Sequence, residues 1–296
     1  MHRPGLIFLI LCLFFSTGCA TSIQTSGNQS SGGAETYIQN KGSDTLVNLA
    51  LAWAETYQNQ HPDIEISVTG GGSGTGFTSL INGTVDLANA SRQIKAEEIQ
   101  QAKDKGFEPV EFTVANDAIA VIVNPSNPVS RLTLQQVSEI YQGLISNWQE
   151  VGGEDRPIVR ISRETNSGTH VYFLESVVRL GNSKSKALFS MDTLLLPSSE
   201  GIISEVRDNP NAIGYDGLGY VTDEVKMIAL ARQFSSPYVL PSAETVTDNT
   251  YPISRGLYMY THGQPGGAVK DYLDWILSAE AQKITNDLGF VPLMTR

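Results

Sequence analysis

The stretch Ile64-Glu65-Ile66-Ser67-Val68-Thr69-Gly70-Gly71-Gly72-Ser73-Gly74-Thr75-Gly76-Phe77-Thr78-Ser79-Leu80-Ile81 holds the repeating unit of the fold. Ile64, Ile66 and Val68 alternate with polar residues, as one face of a strand does, and Gly70 to Gly76 reads as a loop. Phe77, Leu80 and Ile81 follow at helical spacing, and Asn82-Gly83 stops that helix. A strand, a polar junction and a helix in this order form the building block of an α/β sheet covered by helices.

The same alternation extends in both directions. Upstream, Leu46, Leu49, Ala50, Trp53 and Tyr57 predict a helix that must end near His61-Pro62. Downstream, a strand is expected over 85–88 and a helix over 95–105, closed by Gly106. Thr133 to Gln136 has the form of a capping box opening a helix that closes at Gly143. Ile158 to Ile161 reads as a strand, and 168–178 as a helix with Val171, Leu174 and Val178 inward. Leu257 to Tyr260 reads as another strand, and 269–288 as a broken helix pair. There is no internal repeat. With 296 residues, two α/β lobes are the economical reading. Trp53, Trp148 and Trp275 are expected in core or interlobe packing.

Apolar residues make up 41% and charged residues 17%, a globular composition. The formal charge of −11 is the wrong sign for binding nucleic acid through its phosphates. The chain opens with Arg3, ten apolar or Cys residues from Leu6 to Phe15, then Ser16-Thr17-Gly18 before Cys19, the pattern of an export signal over 1–18. Ten residues are half of the roughly 20 a membrane-spanning helix needs. Small residues before Cys19 resemble the bacterial lipobox, with Ser16 where that motif favours Leu, and imply lipidation at Cys19. Cys12 and Cys19 are the only cysteines, so the body beyond them has no disulfide. Residues 19–34, rich in Gly and Ser, read as a tether from the anchor. Loss of Arg3 leaves 19 basic against 31 acidic residues, a mature charge of −12.

Three Gly/Ser/Thr clusters stand where helices begin: Gly42-Ser43-Asp44-Thr45-Leu46, Gly70 to Gly76, and Arg163-Glu164-Thr165-Asn166-Ser167-Gly168-Thr169. Free N–H groups and the positive helix end make such places anion sites, although any one cluster taken singly is more often a helix cap. Arg92 after Ser91, and Arg163 four residues before Ser167, add cationic donors. The glycine loop lacks the Lys of a P-loop and the spacing of a dinucleotide fingerprint. His2, His61, His170 and His262 are scattered, which argues against a metal site, and Ser73 and Ser167 lack the glycines of an esterase elbow. Neither a metal, a cofactor nor a catalytic set is expected.

These residues resemble the periplasmic phosphate-binding proteins of bacterial high-affinity phosphate ABC transporters. The resemblance covers the mature chain and rests on Gly42 to Leu46, Gly72-Ser73-Gly74, Val85-Asp86-Leu87 with Ala90-Ser91-Arg92, Asn147-Trp148 with Val151-Gly152-Gly153, Arg163 to Thr169, and Ala212-Ile213-Gly214-Tyr215. It implies a two-lobed type II periplasmic-binding-protein fold with the ligand in the interlobe cleft. Thr45, the Leu46 backbone, Ser73, Arg163, Ser167, Gly168 and Thr169 would then hold inorganic phosphate, with Ser43, Ser91 and Arg92 beside them. In the best-known branch an Asp follows the Ala-Ser pair and accepts the ligand's proton; here Arg92 stands there, so Asp44 is the first alternative acceptor and Asp216 the second. An unpaired carboxylate acceptor would exclude sulfate, which has no proton to offer at neutral pH.

The implied protein is a monomeric, exported, lipid-anchored receptor that delivers phosphate to ABC permease subunits. The chain would cross between lobes near 118–124 and 253–258, giving one lobe of 35–118 with 255–296 and another of 119–254, closing by hinge motion. Competing readings are a receptor for sulfate, molybdate or tungstate, or a phosphoester hydrolase using Ser73 or Ser167.

Overall fold

The computed structural model describes residues 36–293; the signal, Cys19 and the tether lie outside the described residues. In chain order the elements are β1 (Thr36–Gly42), α1 (Val47–Gln60), β2 (Ile64–Thr69), α2 (Ser73–Ile81), β3 (Leu87–Ala90), α3 (Ala96–Asp104), β4 (Pro109–Val123), β5 (Arg131–Thr133), α4 (Leu134–Tyr141), β6 (Val159–Arg163), α5 (Gly168–Phe173), β7 (Leu194–Leu196), α6 (Ser199–Asp208), β8 (Ala212–Gly217), β9 (Lys226–Met227), β10 (Ala229–Ala231), α7 (Ala243–Thr247), β11 (Ser254–His262), α8 (Gly267–Ile276) and α9 (Ala279–Asp287).

The main sheet runs β2-β1-β3-β11-β4-β8-β6-β7, with β9 beside β4, and β5 pairs separately with β10. β1 lies parallel to β2 and β3, and β6 lies parallel to β7 and β8, as helical crossovers require. β4 joins the two parallel groups. Residues 109–118 of β4 pair antiparallel with β11, and residues 119–123 pair antiparallel with β8. One fifteen-residue strand therefore belongs to both halves of the sheet.

The apolar faces fill two main clusters. Ile38, Trp53, Leu87, Tyr272 and Phe290 belong to the first, which also takes Ile161 from β6 and Ile202 and Val206 from α6. Val121, Tyr141, Trp148, Phe173 and Tyr215 belong to the second, where the Phe173 and Tyr215 rings stack 3.6 Å apart. Trp53 and Trp148 are fully buried and donate their indole N–H to the carbonyls of Ala281 and Asn211; Trp275 packs half-buried against the first cluster.

Three local expectations shift. Helix α2 begins at Ser73, so Gly74, Thr75 and Gly76 lie in its first turn and the loop is shorter than the glycine content suggested. The third strand occupies 87–90 instead of 85–88, because the Asp86 N–H is bound by the Gln39 carbonyl and Asp86 Oδ2 accepts the Gln39 N–H before the strand begins. The helix from Gly168 ends at Phe173 and continues as a π-turn over Leu174–Val178. That extra residue per turn rotates the buried face, so Phe173 and Val177 join Val178 inside while Val171 and Leu174 are half-buried. The capping box at Thr133 forms as the sequence expects: Thr133 Oγ1 accepts the Gln136 N–H at 3.1 Å and Gln136 Oε1 accepts the Thr133 N–H at 2.9 Å.

Candidate functional site

The site grows from the turns that end β1, β2, β3 and β6. Gly42 leaves β1 at φ +148°, where a Cβ would stand 2.1 Å from the Asn89 carbonyl oxygen, so only glycine lets the chain pass β3 so closely. The turn Asp44–Leu46 follows and buries Thr45 and Leu46. Gly72, at φ +88°, lies against the Asn166 carbonyl of the β6–α5 loop and opens α2 with Ser73 at its first position. Two hydrogen bonds cross between these loops: Gly74 N–H to Asn166 O at 3.0 Å, and Asn166 Nδ2 to Gly71 O at 2.9 Å.

Four hydroxyls converge there, all buried. Thr45 Oγ1 and Thr169 Oγ1 are 2.8 Å apart, although 124 residues separate them in the chain. Ser73 Oγ accepts the Ser91 N–H at 3.0 Å and lies 3.4 Å from Ser91 Oγ. Gly168 faces this pair so closely that a Cβ would sit 2.3 Å from Ser73 Oγ and 2.5 Å from Ser91 Oγ. Ser167 caps α5, its Oγ accepting the N–H groups of Thr169 and His170. Ser43 is buried, and its N–H is bound by the Asn89 carbonyl.

Arg163 is 1% exposed and reaches across. Its Nη2 donates to Asp44 Oδ2 at 2.6 Å and to Pro197 O at 2.8 Å, and its Nη1 donates to Ser199 Oγ at 2.8 Å; its Nε has no partner. Asp44 does not cap its own helix turn. Its second oxygen accepts the Gly71 N–H at 3.0 Å, so the carboxylate ties the first turn to the glycine loop and to Arg163. Asp216 is fully buried: Oδ1 accepts from Ser199 Oγ and the Gly217 N–H, while Oδ2 has no hydrogen-bond partner and lies 3.9 Å from Arg163 Nη1. Burial raises its pKa, against the pull of the Arg163 charge.

Arg92 has other partners. Its guanidinium makes a two-pronged ion pair with Glu98 at 2.7 and 2.8 Å, donates to Gln93 O, and lies over the Phe77 ring. Glu98 is six residues away on α3, and a carboxylate captures a guanidinium more strongly than neutral hydroxyls do.

The sequence reading passed over two charged residues. Arg255 on β11 faces Asp117 on β4 in register. Its Nε and Nη2 donate to Asp117 Oδ2 at 3.3 and 3.0 Å, and Nη1 donates to Ser91 O at 2.9 Å. Nη2 also lies 3.0 Å from Thr169 Oγ1 and 3.4 Å from Thr45 Oγ1. Burial pushes the Asp117 carboxyl up to about 6, against the pull of Arg255. The signal was present: Arg255 is a lone charge inside the segment 253–258 assigned to a crossing between lobes, Asp117 stands one residue before the other such segment, and a buried charge demands a partner. Among the described residues no group of three His, Cys, Asp or Glu side chains is placed to hold a metal, and no helix is long and apolar enough to cross a membrane.

Comparison with known proteins bears on this constellation. Residues 27–280 match the model of the PBP superfamily domain. The chain is 32% identical to the phosphate-binding protein PstS of Pseudomonas aeruginosa over 90% of its own length and 85% of the relative's. It is equally identical to PstS of Bacillus subtilis over 99% of its length and 95% of that relative's. The chain belongs to the PstS phosphate-binding protein family. Among solved members, a Clostridium perfringens substrate-binding protein assigned to phosphate ABC transport, determined with bound phosphate, superposes with a TM-score of 0.78 at 32% identity, covering 87% of this chain and all of that one. An ABC-type phosphate transport receptor from Vibrio cholerae gives 0.69 at 30% identity, covering 86% of this chain and all of that one. The mixed α/β architecture is therefore that of the PstS family, as the sequence resemblance implied.

Proposed function

We propose that this chain binds inorganic phosphate between the two halves of its sheet and delivers it to the permease of an ABC transporter. The observation that carries the reading is the meeting of Thr45 with Thr169, and of Ser73 and Ser91 with Gly168, so that donors from both halves face one point. Neutral hydroxyls and backbone N–H groups suit a ligand that must be bound tightly yet released whole. The relatives are binding proteins of transport and not enzymes, and a family member carries phosphate itself.

The ligand set we assign is Thr45, the Leu46 backbone, Ser73, Ser91, Arg163, Ser167, Gly168 and Thr169, with Ser43 adjoining. Asp44 is the proton acceptor in this scheme: it is 17% exposed and already joins Arg163 to the glycine loop, whereas Asp216 is fully buried beside Ser199 and Gly217. Residues 35–118 with 255–296 form one lobe and 119–254 the other, with β4 and β11 as the hinge. The chain is exported, held by a lipid on Cys19, and acts as a monomer.

Calorimetric titration of the soluble body, from Ala20 and stripped of ligand, tests the reading. Tight one-to-one binding of phosphate with sulfate silent is the expected result; no heat with phosphate, or equal binding of sulfate, would remove it.

A further inference from the structure

The strands that join the two halves carry a buried ion pair, Asp117 on β4 and Arg255 on β11, whose reach exceeds what holding two strands together requires. Asp117 is fully buried and Arg255 is 7% exposed. The two are register partners on antiparallel strands, so their side chains leave the sheet on the same face. Asp117 Oδ1 accepts the Leu218 N–H at 3.1 Å, which anchors the carboxylate to β8's exit, while Oδ2 takes the guanidinium. Gly217 is needed beside it: a Cβ there would stand 2.8 Å from Asp117 Oδ2 and 3.1 Å from a methyl of Thr45.

The far end of Arg255 decides what the pair is for. Nη2 has two hydrogens and faces three acceptors: Asp117 Oδ2, Thr169 Oγ1 and Thr45 Oγ1. The two threonine hydroxyls also face each other, and they come from opposite halves of the molecule. A guanidinium from the crossing strand therefore stands behind the hydroxyl pair assigned above to the ligand. A pair whose task was only to join strands would end at Asp117.

We propose that Arg255 is a further ligand-binding residue, a second guanidinium that donates to the oxyanion seated at Thr45 and Thr169, and that Asp117 is the residue that positions it. The proposal rests on the phosphate-binding reading and names a group that neither the sequence motifs nor the resemblance assigns. It has a mechanical consequence: because Asp117 and Arg255 sit where β4 passes from one half to the other and β11 begins, a ligand held by Arg255 touches the hinge itself as well as both walls of the cleft. Arg255 is itself held by Asp117 and the Ser91 carbonyl, and it is the Nη2 edge now facing the two threonine hydroxyls that would turn to the ligand.

The test is a set of calorimetric titrations with inorganic phosphate on the soluble body, each variant checked by its melting temperature without ligand. Arg255→Gln should weaken binding by roughly 10- to 150-fold, the worth of a charged hydrogen bond. Arg255→Lys should restore part of that loss, since it keeps the charge and gives up the fork. The single change leaves Asp117 buried without its partner and can destabilise the fold, so the decisive variant is Asp117→Asn/Arg255→Gln, which removes both charges together. If the pair is purely structural, this neutral pair binds phosphate within about twofold of the parent, and the proposal is overturned while the phosphate reading stands. If Arg255 is a ligand, the neutral pair folds and still loses at least roughly tenfold. Asp117→Asn alone keeps the guanidinium and should lose less than Arg255→Gln. A parent protein that takes up no phosphate overturns the reading and this proposal together.

Discussion

Gly168→Ala isolates closure from folding. Gly168 is the first residue of α5 and its φ is not left-handed, so alanine suits its backbone; as a helix former, alanine is favoured over glycine by about 1 kcal/mol. The new methyl has no such freedom across the cleft, where it would stand 2.3 Å from Ser73 Oγ and 2.5 Å from Ser91 Oγ. Both serines are fully buried, and turning Ser73 aside gives up its 3.0 Å hydrogen bond from the Ser91 N–H. Forcing a methylene into packed surroundings costs about 1–3 kcal/mol. Because the two serines and Gly168 stand on opposite halves, that cost falls on the closed form. At about 1.4 kcal/mol per decade, phosphate should bind about 5- to 150-fold more weakly while the ligand-free melting temperature stays level or rises. Gly266→Ala is the control, since its φ is −137° and no atom lies within 4 Å of the added carbon. Calorimetry and melting curves on the two variants decide the matter. Parental affinity in Gly168→Ala, or equal losses in both, would refute the argument that this contact governs closure.

Arg163→Ala should lose at least roughly 1.5–3 kcal/mol of phosphate affinity by calorimetry, and an unchanged titration would remove Arg163 from the site. Asp44→Asn should narrow the preference for phosphate over sulfate, measured by competition; a ratio identical to the parent's would move the acceptor role elsewhere. The carboxyls of Asp216 and Asp117 are both raised by burial above the ordinary 3.8, Asp117 to about 6. Between the unfolded and folded values the native state keeps protons that the unfolded chain has released, so both groups make the ligand-free protein less stable as pH climbs above the ordinary carboxyl value, Asp117 from about 4 to 6. Asp216→Asn should flatten the decline in stability with rising pH in urea unfolding, and a pH profile identical to the parent's would show that Asp216 does not contribute to it. Cys19→Ser should move the exported protein from the membrane fraction to the soluble one on centrifugation; retention at the membrane would rule out the lipid anchor.

Much of this molecule is written in local patterns. The strand–turn–helix order at 64–81, with its helix opening at Ser73, earlier than the glycines suggest, the capping box at Thr133 and Gln136, and the helix start at Gly168 follow from their residues, because alternation, helical spacing and caps are satisfied by neighbours a few residues away. The three Gly/Ser/Thr clusters were legible as candidate anion sites, since each stands where a helix begins, whereas their meeting around one ligand was implied by the family resemblance.

Pairings between charges distant in the chain were decided only when the strands took their register. Asp44 meets Arg163 across 119 residues and Asp117 meets Arg255 across 138, and nothing in either partner's immediate sequence names the other. Arg92 shows the converse: its position after Ser91 suggested the site, but Glu98, six residues on in the first turn of α3, competes for it. The length of β4 decides the rest. A strand that pairs with β11 through residue 118 and with β8 from residue 119 carries Asp117 to the point where both halves meet, and a charge buried there is tolerable only with the guanidinium that the opposite strand presents.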